Sequence, residues 1–224
     1  MTDGAGESQT HGHDGPLEPP GPVVGVILAA GNSSRLGRPK QLLSLGGRPV
    51  LAHTLDNAAR SGLDGIVVVL GHEADAIRAA IDFAAADARV VLNERYREGQ
   101  STSLRAGLDA LPAEAGAAIF LLGDQPLIGP AILDAILAAY RRTGRPIVMP
   151  AYDGRRGNPA LFARPLWPEL ARVVGDQGAR GVLRAHADDV LEVPVAGSHY
   201  TADLDTVEDY ERLRARFEQG AAVE

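Results

Sequence analysis

Leu28-Ala29-Ala30-Gly31-Asn32-Ser33-Ser34-Arg35-Leu36-Gly37-Arg38-Pro39-Lys40 continues an apolar run, Val23-Val24-Gly25-Val26-Ile27, that reads as a buried strand. The small residues Ala29, Ala30, Gly31, Ser33 and Ser34 leave backbone N–H groups open to close approach by a phosphate. Arg35 and Lys40 add two cations suited to a polyphosphate. Two better-known phosphate loops are excluded by spacing. Five residues separate Gly31 from Gly37, and Lys40 stands three beyond Gly37 and before Gln41, so this is not a Walker A loop. The dinucleotide pattern G-x-G-x-x-G is absent from the turn.

The 224 residues suit one domain, and an apolar fraction of 45% suffices for a large core. A net charge of -7, with no basic concentration, argues against a nucleic-acid partner. With no cysteine there are no disulfides, thiolate metal sites or cysteine nucleophiles, as a reducing, cytoplasmic location would allow. No run approaches the length of a membrane span, so no membrane partner is expected. Residues 1–22 lack an apolar signal core and read as a disordered leader, with the domain over 23–219 and a short tail at 220–224.

From Val23 onward apolar strands and helices alternate. Strands are expected at Val23–Leu28, Ile66–Leu70, Arg89–Leu92, Ala117–Leu122 and Pro146–Met149. Helices fill the intervals, at Val50–Arg60, Ala74–Ala85, Ser101–Leu111 and from Pro130. This rhythm predicts an α/β fold with a mostly parallel sheet covered on both faces, binding ligands at the carboxyl ends of its strands. After Pro150 the rhythm breaks. A loop over 151–164, two short helices, a strand at Val190–Val195 and a helix from Thr206 are expected there. The histidines are scattered, and His53, within an amphipathic helix, reads as structural.

Asp124, in Gly123-Asp124-Gln125-Pro126, directly follows an apolar strand and is the leading Mg²⁺ ligand candidate. Asp203 and Asp205 precede the last helix, and either would complete the site, although Asp205 also suits a helix N-terminus. Asn93 to Ser103 joins a strand to a helix start that would read a base edge or donate N–H groups to an anion. Two glycine-bounded clusters, Gly154-Arg155-Arg156-Gly157-Asn158-Pro159 and Gly175-Asp176-Gln177-Gly178-Ala179-Arg180, suit an anionic acceptor or a plain solvated surface.

Together these segments resemble the MobA-like nucleotidyltransferases, and most closely the molybdenum cofactor cytidylyltransferases. The resemblance rests on Leu28–Lys40, on Gly-Asp-Gln-Pro at 123–126 and on Arg-Gly-Asn-Pro-Ala-Leu-Phe at 156–162. Gly-Asp-x-Gly-Ala-Arg at 175–180 and Asp-x-Asp-Thr-x-Glu-Asp at 203–209 complete it. It implies a single Rossmann-like three-layer α/β/α domain of the nucleotide-diphospho-sugar transferase type, with residues 23–150 binding the nucleotide and 151–205 the acceptor. The implied reaction transfers CMP from CTP to the terminal phosphate of molybdenum-molybdopterin, releasing pyrophosphate, with a molybdenum hydroxylase as recipient of the product. The resemblance assigns Leu28, Ala29, Ala30, Gly31, Ser33, Arg35 and Lys40 to the nucleotide and Ser103 to its base. Asp124 and Asp205 fall to Mg²⁺, and Arg156, Gly157, Asn158, Pro159 and Arg180 to the acceptor. Arg35, Lys40 and Asp124 would carry catalysis. Ala30 points to CTP, since guanylyltransferases usually carry Ala-Gly-Gly at that turn. A guanylyltransferase, a sugar- or polyol-phosphate nucleotidyltransferase, or a nucleotide-binding accessory protein without turnover are the alternatives.

Overall fold

The computed structural model describes residues 21–32, 37–197, 204 and 206–218. The first half runs β1 (Val23–Ala29), the small hairpin β2 (Ser44–Leu45) and β3 (Arg48–Pro49), α1 (Val50–Ala59), β4 (Gly65–Leu70), α2 (Ala74–Ala80), β5 (Ala88–Leu92), α3 (Gln100–Asp109), β6 (Ala117–Leu122) and α4 (Pro130–Thr143). There follow β7 (Ile147–Tyr152), β8 (Arg155–Arg156), β9 (Ala160–Ala163), α5 (Trp167–Leu170), α6 (Arg180–Ala185), β10 (Val190–Val195) and α7 (Val207–Glu218).

The main sheet orders its strands β10-β7-β9-β6-β1-β4-β5, with β8 pairing β7 outside that path. Along that path all neighbours are parallel except at β9, which runs antiparallel to both β6 and β7; β8 is also antiparallel to β7. Strands buried on both faces carry continuous apolar runs rather than alternation, as in Val-Val-Gly-Val-Ile-Leu-Ala of β1. One face of the sheet buries Ile27, Val68, Ile119 and Leu121 against Leu51 and Leu55 of α1 and Leu133, Ile136 and Leu137 of α4. The other buries Val26, Val67 and Phe120 against Leu104 and Leu108 of α3, Leu170 of α5 and Val182 of α6. This is the expected three-layer α/β/α arrangement. A smaller cluster seats Tyr210 and Leu213 of α7 on Leu43, Leu45 and Val50. Thr206 caps α7 reciprocally with Asp209: Thr206 N–H donates to Asp209 Oδ2 (2.9 Å) and Asp209 N–H to Thr206 Oγ1 (3.1 Å).

His53 is structural, as expected. Its Nε2 meets the Leu45 carbonyl oxygen at 2.8 Å and burial lowers its pKa.

Two local expectations are corrected. α2 stops at Ala80 rather than Ala85, because Ile81 turns extended (φ -127°, ψ 129°). That turn lets both Ile81 and Phe83 reach the core, while Asp82 Oδ1 accepts from Ala85 N–H at 3.1 Å to start a separate turn. The segment after Pro150 is not one long loop. Tyr152-Asp153-Gly154-Arg155 forms a two-residue hairpin with φ of 47° at Asp153 and 81° at Gly154, the signs a type I′ turn needs. Ala160–Ala163 then inserts as β9 into the middle of the sheet. Of the expected leader, 1–20 lies outside the described residues, whereas Pro22 already accepts from Gly116 N–H at 2.9 Å.

Candidate active site

Because β1, β4, β5 and β6 are parallel, their carboxyl ends share one side of the sheet. A cleft of about 410 Å³ lies there. Leu28 enters it from the end of β1, Ala30, Gly31 and Lys40 from the segment after β1, Gly123 and Asp124 from the turn after β6, and Tyr96, Gln100 and Ser103 from around the start of α3. Asp176 joins them from the later segment.

Lys40 Nζ is ion-paired with Asp124 Oδ2, and the two side chains are only 20% and 8% exposed. The pair joins two motifs 84 residues apart and sets a cation against a carboxylate in one partly desolvated spot. Polar side chains beneath it fix the backbone. Gln41 Nε2 donates to the carbonyl oxygens of Ala29 (2.9 Å) and Gly31 (3.3 Å). Asn57 Nδ2 of α1 donates to Pro126 O at 2.9 Å, holding the turn that carries Asp124. Ala29 is buried behind this surface rather than in the cleft lining. Gln41 and Asn57 were not singled out from sequence. The available signal was a polar residue at a buried position: Asn57 falls on the apolar side of an amphipathic helix.

At the start of α3, Asn93 stands just past β5 and is 5% exposed. Its Nδ2 donates to Thr102 Oγ1 (2.9 Å) and Ser103 Oγ (3.0 Å), and its Oδ1 accepts from Arg95 N–H (3.0 Å). The first turn of α3 is bound from the later segment as well: Gln100 N–H donates to Asp176 Oδ1 at 3.1 Å. The free helix start expected from sequence is thus capped by an aspartate 76 residues away.

A second cavity of about 170 Å³ adjoins the first through Leu28, Gln100 and Leu122. Phe120, Phe162 and Leu183 give it apolar walls, and Asn158, Gln177 and Arg180 face it. Asn158 is held by its carbonyl oxygen, which accepts from Tyr152 Oη at 2.7 Å. Gly157 and Pro159 flank it without lining either cavity. Arg156 is not brought to the site: it is 41% exposed on β8 and its Nε donates to Glu192 Oε1 of β10 at 2.6 Å. Ser33, Arg35, Asp203 and Asp205, assigned to the triphosphate and the metal from sequence, lie outside the described residues.

Among the described residues no three His, Cys, Asp or Glu side chains gather as a metal site. A single buried carboxylate opening on a cleft still fits a hard divalent cation of the Mg²⁺ type, which takes one or two carboxylates and completes its shell with substrate phosphate and water. No helix among the described residues is long and apolar enough to cross a membrane.

The profile of the MobA-like NTP transferase domain matches residues 25–190. The bifunctional protein GlmU of Sorangium cellulosum is 33% identical over 180 residues, 77% of this chain, but the chain spans only 36% of that protein's length. Nicotine blue oxidoreductase of Paenarthrobacter nicotinovorans is 34% identical over 200 residues, covering 85% of this chain and 96% of that protein. Rv0371c of Mycobacterium tuberculosis, a solved structure, shares 37% identity at a TM-score of 0.79, over 88% of this chain and 99% of that one. The same mycobacterial protein has been crystallised with manganese. With its strand-end cleft, its first-strand loop and this match across most of the domain, the chain belongs to the MobA-like NTP transferase family.

Proposed function

We propose that this protein is a divalent-metal-dependent nucleotidyltransferase that transfers CMP from CTP to the terminal phosphate of a molybdopterin-type acceptor. The observation that carries the reading is the Lys40–Asp124 pair in a cleft that adjoins a second, part-apolar cavity bearing Arg180 and Asn158. In this reading the nucleotide occupies the first cavity and the phosphorylated acceptor the second, so the two anions meet above Asp124. An oxygen of the acceptor phosphate attacks the α-phosphorus of CTP and the bond to pyrophosphate breaks. The attacking group is already anionic, so no protein nucleophile or general base is needed, and catalysis rests on positioning and charge neutralisation. Lys40 turns from Asp124 toward the leaving pyrophosphate as its charge grows. Asp124, with Asp205, would hold Mg²⁺, which supplies Lewis-acid charge to the phosphates when bound. Ser103 meets the base, and Ala30 at the turn after β1 favours CTP. The product would pass to a molybdenum hydroxylase.

The sequence match to a relative named as an oxidoreductase, 34% identical over nearly its whole length, supports one second reading: redox turnover of a small molecule on the same scaffold. One experiment decides. The full chain is incubated with Mg²⁺, each nucleoside triphosphate in turn and either molybdopterin or a sugar phosphate, and pyrophosphate is measured. Release with CTP above GTP supports the proposal. Release with GTP alone assigns a guanylyltransferase, and release only with a sugar phosphate assigns that class. No release with any combination removes nucleotidyl transfer.

A further inference from the structure

The hydrogen-bond network behind α3 fixes more than a shape: it fixes a polarity. Asn93 Oδ1 accepts from Arg95 N–H at 3.0 Å, so its amide group must be the one facing the two hydroxyls. Flipped, it would oppose a donor with a donor. Both Nδ2 hydrogens are then spent, on Thr102 Oγ1 and Ser103 Oγ. Thr102 Oγ1 has its own acceptors, the carbonyl oxygens of Arg95 (3.0 Å) and Gly99 (2.9 Å). Ser103 Oγ receives a hydrogen from Asn93, so its own hydrogen cannot point there. Among the described residues nothing accepts it, and Ser103 lines the cleft.

We infer that Asn93 is a positioning residue that biases Ser103 to donate its hydroxyl hydrogen toward the ligand, and that this polarity favours cytosine over uracil. The inference rests on the assignment of Ser103 to the base. Cytosine presents an unprotonated N3, an acceptor, where uracil presents N3–H. A hydroxyl whose hydrogen is left for the cleft pairs with the first; to accept from the second through its remaining lone pair it must turn that hydrogen from the base, where no described residue accepts it. Asn93 is buried and away from the cleft lining, so it acts only through Ser103.

The test is binding of CTP and of UTP, each with Mg²⁺, to the full chain by calorimetry, in wild type, Asn93→Asp, Ser103→Ala and the double variant. An aspartate at 93 keeps the bond from Arg95 N–H but offers Ser103 an acceptor, which draws the hydroxyl hydrogen inward and turns a lone pair to the base. One mispaired hydrogen bond corresponds to roughly tenfold or more. The expected result is a CTP preference in wild type that falls at least about tenfold in Asn93→Asp. Ser103→Ala should lose the preference by itself, and Asn93→Asp should change nothing further in that background. If Ser103→Ala collapses the preference but Asn93→Asp keeps it, the polarity inference is overturned while the base assignment stands. If Ser103→Ala keeps the wild-type preference, or wild type shows none, the base assignment fails and the inference with it. Thermal melts check folding. Should Asn93→Asp not fold, Asn93→Ala frees the hydroxyl to rotate. A several-fold loss of preference, absent in the Ser103→Ala background, then supports the inference, and an unchanged preference overturns it.

Discussion

Gly99→Ala tests how tightly the later segment is latched to the helix that starts the nucleotide cleft. Gly99 has φ 109° and ψ 167°, a region open essentially to glycine alone. Forcing alanine into it costs about 1–3 kcal/mol. A Cβ there would also lie 2.6 Å from the carbonyl carbon and 2.8 Å from the carbonyl oxygen of Gly175, and 2.9 Å from Asp176 Oδ1. These are mainly backbone atoms, so the turn at Gly175–Gln177 must move. Moving it stretches the bond from Gln100 N–H to Asp176 Oδ1. That bond is solvent-exposed, so its loss adds about 1 kcal/mol rather than the larger figure for a buried charged bond. The expected total is about 2–4 kcal/mol, or roughly 5–15 °C in melting temperature for a chain of this size. Asp176→Ala isolates the hydrogen bond and should cost only about 1 kcal/mol. Urea unfolding of both variants gives the comparison. Because the same turn leads into Arg180, Gly99→Ala should also raise KM for the acceptor. A Gly99→Ala protein within about 0.5 kcal/mol of wild type, with unchanged acceptor KM, would refute both the strain and the latch.

Asp124→Asn should leave the fold intact and nearly abolish turnover, because an amide neither neutralises Lys40 nor serves as a metal carboxylate; wild-type rates at ordinary Mg²⁺ would remove the assignment. Lys40→Ala should lower kcat through lost stabilisation of the leaving pyrophosphate, whereas Arg180→Ala should chiefly raise the acceptor KM. Equal weakening of CTP binding by both would end the division into two anion pockets. Arg156→Ala should change neither parameter appreciably, since its guanidinium is occupied with Glu192. His186 is bonded through Nε2 to Glu169 and through Nδ1 to Asp189, and both hold its pKa above the ordinary 6.5. A raised folded-state pKa means its stabilisation is complete below about pH 6.5 and is lost as pH rises through the folded value. Unfolding measured from pH 5.5 to 8.5 should therefore show a fall with rising pH that His186→Gln removes.

Much of the site follows from local signals. The apolar runs at β1 and β6 announce buried parallel strands, and in such sheets whatever stands just past a strand end faces the ligand crevice. That rule alone finds Gly31 and Asp124; Lys40, eleven residues past β1, follows from the spaced cations of the loop. The Asp153-Gly154 hairpin was also legible, since an Asp-Gly pair between strand-capable residues is a strong turn signal. Reading the two arginines beside it as an acceptor loop or solvated surface passed over that signal.

What the sequence determined by itself is the fold class and the family of the protein, because periodicity and motif spacing are properties of neighbouring residues. Tertiary structure alone decided the rest. Ala160–Ala163 is too short and too uniformly apolar to declare its partner or direction, and only closure of the sheet inserts it between β6 and β7. Asp176 caps α3 across 76 residues, and Arg156 turns to Glu192 across 36. Asn93 turns its amide nitrogen to Thr102 and Ser103 because Arg95 N–H bonds its Oδ1. Each of these is a pairing between chemically ordinary residues, and which partner satisfies a polar group depends on the three-dimensional path of the chain.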